Sequence, residues 1–365
     1  MRTHDDVAAP RSRAPSAVTA CLLDPDLFDA ICVYQDGIEA FLHLLVVAFD
    51  RSWTSLLHVV QHITAVDDVL APWYASYGIA HLPRVIQHLP AIHTALTCHA
   101  LVVGHVHVVD LLHDLHALDP VDPNHLLLAS CYGHLHVVET LDALGFAATE
   151  EAMDTAAMSG FLPVVEYLHG HRSEGCSTQA MDLAAGNGHL HVVEFLHENR
   201  KEGCTARALD RAAANGHMDV VQFLHLCRRE GCHAWAMNLA AANGHLDIVR
   251  FLHKHRVEGC TTAAMDSAAR AGYLDVVRFL HENRTEGCTT DAMDGAAENG
   301  HLDVLEFLHS HRREGCTRRA RERAVMRGHA HVITFLDRAI KEGQRKTSDP
   351  PQCLWRWRDY YGGRP

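Results

Sequence analysis

Several features that define common classes of protein are missing from this sequence of 365 residues. It contains no Gly-rich phosphate-binding loop, no Gly-x-Ser-x-Gly elbow and no His-Glu-x-x-His helix. The apolar run from Phe41 to Phe49 is interrupted by His43 and is far shorter than the roughly 20 residues that a membrane helix needs. Met1 to Ala20 lacks the apolar segment of a secretory signal. We therefore expect a soluble cytoplasmic protein with reduced cysteines, without catalytic activity and without a cofactor.

Positive charge is also in deficit, since 32 Lys and Arg side chains face 45 Asp and Glu, for a formal net charge of -13. This balance argues against nucleic acid or an anionic membrane surface as the main partner. Histidine, by contrast, is abundant, with 32 residues. These histidines either fill repeated positions of the fold or give the protein a response to pH or metal, because histidine titrates near neutral pH.

What the sequence does contain is a repeat of fixed length between Glu151 and Gly343. Cysteines mark its period of 28 residues, at Cys176, Cys204, Cys232, Cys260, Cys288 and Cys316. Glycines keep the same interval at Gly160, Gly188, Gly216, Gly244, Gly272, Gly300 and Gly328. A period of this length is typical of a solenoid, in which one short unit buries its apolar face only by stacking on its neighbours.

Each unit is predicted to contain two antiparallel helices joined by short loops. Ser177 or Thr205, directly after a repeated cysteine, is placed to cap the first helix by accepting a backbone hydrogen bond. An Asn-Gly pair such as Asn187-Gly188 is expected to end that helix, because glycine adopts a left-handed conformation without steric cost. Arg200 falls in the last turn of the second helix, where a cation complements the helix dipole.

The string Ala-Ala-x-Asn-Gly-His-Leu-Asp-Ile-Val-x-Phe-Leu, at Ala240 to Leu252, resembles the ankyrin repeat. This resemblance implies an all-α solenoid of stacked antiparallel helix pairs that binds other proteins and is not an enzyme. The usual ankyrin unit has about 33 residues, so this unit is about five residues shorter. The missing residues precede the first helix, so we expect a tight turn in place of the projecting β-finger.

The remaining segments suggest four regions. Residues 1–20 form a tail, residues 21–76 a helical cap, residues 77–343 the repeat array, and residues 344–365 a linker with an aromatic and basic end. Within the cap, Cys21 to Trp53 resembles a degenerate F-box. That resemblance implies an alternative function as a substrate receptor that binds a ubiquitin-ligase adaptor through residues 21–53, with the array selecting the substrate.

Comparison of the repeats with one another separates constant from variable positions of the first helix. Three variable columns lie at i, i+4 and i+7, on one stripe of the helix. They are, in turn, Gln179, Arg207, Trp235, Ala263, Asp291 and Arg319; Leu183, Arg211, Leu239, Ser267, Gly295 and Arg323; and Gly186, Ala214, Ala242, Arg270, Glu298 and Met326. We name these three columns the variable stripe and predict that it binds a protein partner. The residues chosen as contacts are Gln179, Arg207, Arg211, Trp235, Leu239, Arg270, Asp291 and Glu298.

A nearly constant acid follows the first variable column, as in Asp182 and Asp210. Two interpretations are open for it: recruitment of a basic partner, or hydrogen bonds to backbone amides of its own or the next unit. The repeated cysteines are interpreted as small buried side chains, since neighbouring helices lie about 8–10 Å apart and a disulfide needs Cα atoms within about 7 Å. One local cluster is a weak candidate for zinc, namely His225, Cys227, Cys232 and His233, although it lacks a Cys-x-x-Cys pair.

Overall fold

The computed structural model describes residues 63–88 and 92–345, and all regular structure in these two ranges is helical. The prediction of an all-α architecture without a β-finger is therefore confirmed for the described residues. The chain divides into two compact units, residues 1–149 and residues 150–365. In the described ranges, no helix combines the length and the apolar character needed to cross a bilayer.

The first unit contains helices of unequal length with irregular connections. Its α-helices are α1 (Ile63–Tyr77), α2 (Leu82–His88), α3 (His93–Val103), α4 (Val106–Asp114), α5 (Asn124–Cys131) and α6 (Leu135–Ala143). A short 3-10 helix, Ile79–His81, precedes α2. Large side chains such as Leu70, Leu101 and Phe146 fill its core. The predicted F-box-like segment, residues 21–53, lies outside the described residues.

The second unit contains seven helix pairs, each with a first and a second helix. The first helices are α7 (Glu150–Ser159), α9 (Thr178–Gly186), α11 (Ala206–Asn215), α13 (Ala234–Ala242), α15 (Thr262–Ala271), α17 (Thr290–Asn299) and α19 (Arg318–Arg327). The second helices are α8 (Leu162–His171), α10 (Leu190–Asn199), α12 (Met218–Cys227), α14 (Leu246–His255), α16 (Leu274–Asn283), α18 (Leu302–His311) and α20 (Ala330–Arg345).

Side-chain size decides how the helices of the second unit pack. First helices approach one another closely because their buried positions are alanines, for example Ala184 and Ala185 in α9. The second helix supplies the larger core residues, such as Val192, Val193 and Leu196 in α10. Because interiors pack at the density of crystals, this division of small and large residues makes one continuous core along the unit.

The predicted helix ends are confirmed where sequence and structure can be compared. Ser177 and Thr205 accept hydrogen bonds from the N–H groups of Gln179 and Arg207, two residues later. The loop glycines adopt left-handed conformations, with φ of +78° at Gly188. Thus each first helix begins at a hydroxyl cap and ends near a glycine that only this residue type occupies without strain.

The arginine after each second helix has a different role from the one predicted. Arg200 is extended, with φ of -122° and ψ of 149°, and so lies just beyond the helix. Its guanidinium binds Glu202 at 2.5 Å, within the loop that leads to the next repeat. The same Arg–Glu pair recurs in the following repeats, as in Arg256 with Glu258 at 2.7 Å. This side chain therefore shapes the loop between repeats, where the dipole argument had placed it in the last turn.

Candidate partner-binding surface

The variable stripe is largely exposed in the structure. Of the residues chosen as partner contacts, seven are classed as exposed: Gln179, Arg207, Arg211, Trp235, Leu239, Arg270 and Asp291. The eighth, Glu298, is half-buried. Trp235 is the largest of these side chains, and 64% of its surface is accessible. The stacking of first helices therefore brings the predicted contacts onto one side of neighbouring repeats, and it leaves most of them open to solvent.

Part of the variation along this stripe is compensated between adjacent repeats. The stem of Arg211 lies against Gly186 of the preceding repeat, where an added Cβ would come within 3.0 Å of it. At the same offset of 25 residues the sizes are reversed, since Arg270 crowds the position of Gly295. Glu298 and Arg323, again 25 residues apart, form an ion pair at 2.5 Å. Size and charge are thus matched across the repeat boundary in the second and third columns.

This compensation separates residues that hold the array together from residues that remain free. Glu298 is engaged by Arg323 and also approaches Arg327 at 3.5 Å. Its variation therefore has a sufficient cause in packing between repeats. The first column has no such neighbour in the printed contacts of Arg207 and Trp235, whose side chains project into solvent.

The constant acid is buried, and it joins one repeat to the next. The N–H and Oγ1 of Thr205 donate to the two carboxylate oxygens of Asp182 at 2.7 and 2.6 Å. Asp266 accepts from Thr289 in the same way at 2.7 and 2.9 Å. The hydrogen-bonding interpretation is therefore confirmed, and the carboxylates are not on the exposed stripe where a basic partner would meet them. Burial raises the pKa of Asp266 above its ordinary value, while the bonds from Thr289 oppose that shift.

Two departures from the Asp–Thr pattern keep the same bonds by different chemistry. Asn238 accepts from the N–H of Thr261 at 2.9 Å and donates its amide N–H to the Thr261 hydroxyl at 2.9 Å. His233 replaces the hydroxyl residue, and its backbone N–H and Nδ1 lie 2.8 and 2.7 Å from Asp210. The position therefore requires a hydrogen-bonding fork, which either a carboxylate or an amide supplies.

A family profile described as ankyrin repeats (3 copies) matches the chain at residues 153–238, 209–294 and 237–321. Residues 153–321 are ankyrin repeats. Ankyrin repeats generally act as protein–protein interaction modules and are typically not enzymes. No curated protein matches the chain.

The ankyrin loops explain one column of histidines. In each loop an aromatic ring, usually histidine, rests on the left-handed glycine of the preceding repeat. A Cβ built on Gly160 would lie 2.5 Å from the Nδ1 of His189, and one built on Gly244 would lie 2.6 Å from the Tyr273 ring. Glycine is thus required twice at this position, by its φ angle and by the ring that covers it.

A second column of histidines lies on the second helices and contacts the next ankyrin repeat. His197 packs edge-on against Phe223 with ring centroids 5.5 Å apart, and its Nδ1 lies 3.3 Å from the Nη1 of Arg228. The same edge-on contact joins His225 to Phe251 at 5.3 Å. These two columns show that many of the histidines fill repeated positions at the boundaries between repeats, as one of the two interpretations held.

The repeated cysteines are buried thiols, as expected. Cys176, Cys204, Cys260 and Cys288 are buried and free. Burial raises the pKa of Cys176 and Cys288 to about 11. Because the reactive form of cysteine is the thiolate, these positions are packing elements in the ankyrin array.

The four residues named as a weak zinc candidate do not form a metal site. His225 packs on Phe251, and His233 is bound to Asp210. Cys227 is exposed, whereas Cys232 is half-buried with a pKa raised by burial to about 11. Over residues 63–88 and 92–345, no three His, Cys, Asp or Glu side chains are placed to hold a metal ion together.

Proposed function

We propose that this chain is a non-catalytic scaffold that binds a protein partner through the variable stripe of its first helices. The observation that carries the proposal is the contrast in one surface of the second unit. Trp235 and Leu239 are 64% and 39% exposed there, whereas the neighbouring alanines are fully buried. Exposed Trp and Arg are the residue types that dominate binding energy at protein interfaces.

Energetic considerations favour a binding role for these side chains. An exposed Trp contributes little to folding, and surface substitutions of this kind change stability by less than about 0.5 kcal/mol. The adjacent Arg207 and Arg211 have no carboxylate partner among the described ion pairs, in contrast to Arg321, which binds Asp337 at 2.7 Å. The stripe therefore carries binding groups that the fold of the array does not use.

The test is affinity capture from a cell lysate with the full chain and a triple variant, Arg207→Ala, Trp235→Ala and Arg270→Ala. A matched control changes three exposed side chains outside the stripe, Leu226→Ala, Arg229→Ala and Arg313→Ala. Circular dichroism must show equal helicity for all three proteins. We expect a protein that is captured by the wild type and the control and lost from the stripe variant. Capture of the same set by all three proteins would place recognition outside the stripe and overturn the proposal.

A further inference from the structure

The sign of charge along the variable stripe changes from repeat to repeat, and this defines the chemistry of a ligand. In the first and second columns, helix α11 presents Arg207 and Arg211, and α13 presents Trp235 and Leu239. The acid of the first column, Asp291, lies two repeats beyond Trp235 in α17. The exposed apolar pair is therefore bordered by guanidinium groups on the α11 side, within a chain whose net charge is -13.

The nearest carboxylate in the same helix is unavailable to these arginines. Asp210 lies three residues after Arg207, a spacing at which a helical ion pair could form. Its two oxygens instead lie 2.8 and 2.7 Å from the backbone N–H and Nδ1 of His233, and the residue is buried. Arg207 and Arg211 form no ion pair with the described carboxylates. Both positive charges are thus left for a ligand.

Arg211 is also held in place. Its stem lies over Gly186, where the absence of a Cβ leaves room for the chain to lie flat against the preceding helix. A side chain fixed by packing loses less entropy when it binds, so the affinity gained from each hydrogen bond is larger. Arginine binds carboxylates with two parallel hydrogen bonds, which adds geometric selectivity.

We propose that helices α11 and α13 bind an acidic and apolar segment of the protein partner. The carboxylates of the segment meet Arg207 and Arg211, and an apolar side chain covers Trp235 and Leu239. Neighbouring helices lie about 8–10 Å apart, and an extended chain advances about 3.3 Å per residue. The acidic and apolar residues of the segment are therefore about three positions apart. This inference rests on the proposed function and adds the chemical class of the partner.

The probe is a fluorescein-labelled pool of 12-residue peptides with Asp or Glu placed three residues from Leu, Phe or Trp, in both orders. A second pool has Lys in place of the acids, and a third has Ser in place of the apolar residue. Binding of each pool to the full chain is followed by fluorescence anisotropy at low and at moderate salt. We expect the acidic and apolar pool to bind, with affinity that falls as salt is raised, because exposed ion pairs are screened.

Four variants identify the site. Arg207→Gln with Arg211→Gln, and separately Trp235→Ala, should weaken binding of the acidic and apolar pool at least about tenfold. Arg319→Gln, which changes an exposed arginine in the same column far from Trp235, and Leu226→Ala, which changes an exposed apolar residue on α12, should leave it unchanged. Equal helicity by circular dichroism is required of every variant.

Three results would overturn the proposal: no binding of the acidic and apolar pool, equal or tighter binding of the Lys pool, or binding that is insensitive to the α11 and α13 variants. The captured protein distinguishes this failure from failure of the proposed function. If the stripe variant still loses its partner while the acidic pool does not bind, the scaffold role stands and only the assigned chemistry is wrong.

Discussion

The boundaries between repeats and the first column of the variable stripe are two regions of the same helices, and opposite demands act on them. At a boundary, Asp266 binds Thr289 and the Tyr273 ring covers Gly244, so each residue has a partner one repeat away. In the first column, Arg207 and Trp235 project into solvent. A position repeats because its partner repeats, and it is free to vary where it has no partner.

The second and third columns lie between these extremes and refine the comparison. Gly186 with Arg211, and Arg270 with Gly295, vary in opposite directions so that the space between two helices stays filled. Variation alone therefore does not identify a recognition residue. The residue must also lack a compensating neighbour, which is the property that selects Trp235 and Arg207.

The largest effect is expected at the boundary, for Gly244→Ala. The left-handed backbone and the clash with Tyr273 together should cost about 2–5 kcal/mol of unfolding free energy, from about 1–2 for strain and 1–3 for overpacking. Urea unfolding followed by circular dichroism measures this loss. The matched control is Gly328→Ala, which has a φ of +77° and no atom within 4 Å of its added Cβ. Its cost should be limited to strain, and equal losses at both sites would show that the ring contact does not matter.

A smaller effect is expected for Asp266→Ala, which leaves the N–H and hydroxyl of Thr289 without their acceptors. The loss should be about 1–3 kcal/mol, the usual penalty for an unsatisfied polar group. Asp266→Asn should cost less than about 1 kcal/mol, because Asn238 already makes both bonds to Thr261 in this array. Urea midpoints of the two variants decide the matter. If the Asn variant is as unstable as the Ala variant, the charge is needed and the fork alone is insufficient.

The boundary should also weaken in mild acid. Burial, followed by the nearby charges of Arg256 and His255, lowers the pKa of His225 below its ordinary value of 6.5, although Glu258 opposes the shift. Between the lowered and the ordinary pKa, the unfolded chain holds more protons, so this stability is present above pH 6.5 and is lost as the pH falls below it. His225→Phe should reduce the fall in urea midpoint between about pH 7.5 and 5.5.

The control for this pH dependence is His107→Phe, which changes an exposed histidine of the first unit. Its unfolding curve should shift with pH as the wild type does. The buried carboxyl of Asp266 acts in the opposite direction at lower pH, because its pKa is raised. An unchanged pH dependence in His225→Phe would mean that other groups control the response to acid.

The smallest effect on stability is expected for Trp235→Ala, within about 0.5 kcal/mol, because most of the ring is already in contact with water. The same change should abolish partner capture. A loss of more than about 1 kcal/mol would show that Trp235 supports the fold, and it would remove the distinction between the two regions on which the proposed function depends.

Much of this architecture was predictable because the local signals repeat. The period of 28 residues, the hydroxyl caps and the left-handed glycines all follow from short-range chemistry and are confirmed. The role of Arg200 was predicted wrongly, since a last-turn position was assumed and its ion pair with Glu202 forms in the loop. The pairs at an offset of 25 residues were missed, although the opposite sizes of Gly186 and Arg211 offered a signal.

The sequence by itself determined the stack of helix pairs, since capping, glycine conformation and the apolar period act over a few residues and recur in every unit. Only the tertiary structure decided which varying residues are free, because that depends on the neighbour across the repeat boundary. Asp182 is spent on Thr205 and Glu298 on Arg323, while Arg207 and Trp235 remain exposed. Such contacts join residues more than 20 positions apart, and their geometry exists only after the helices have stacked.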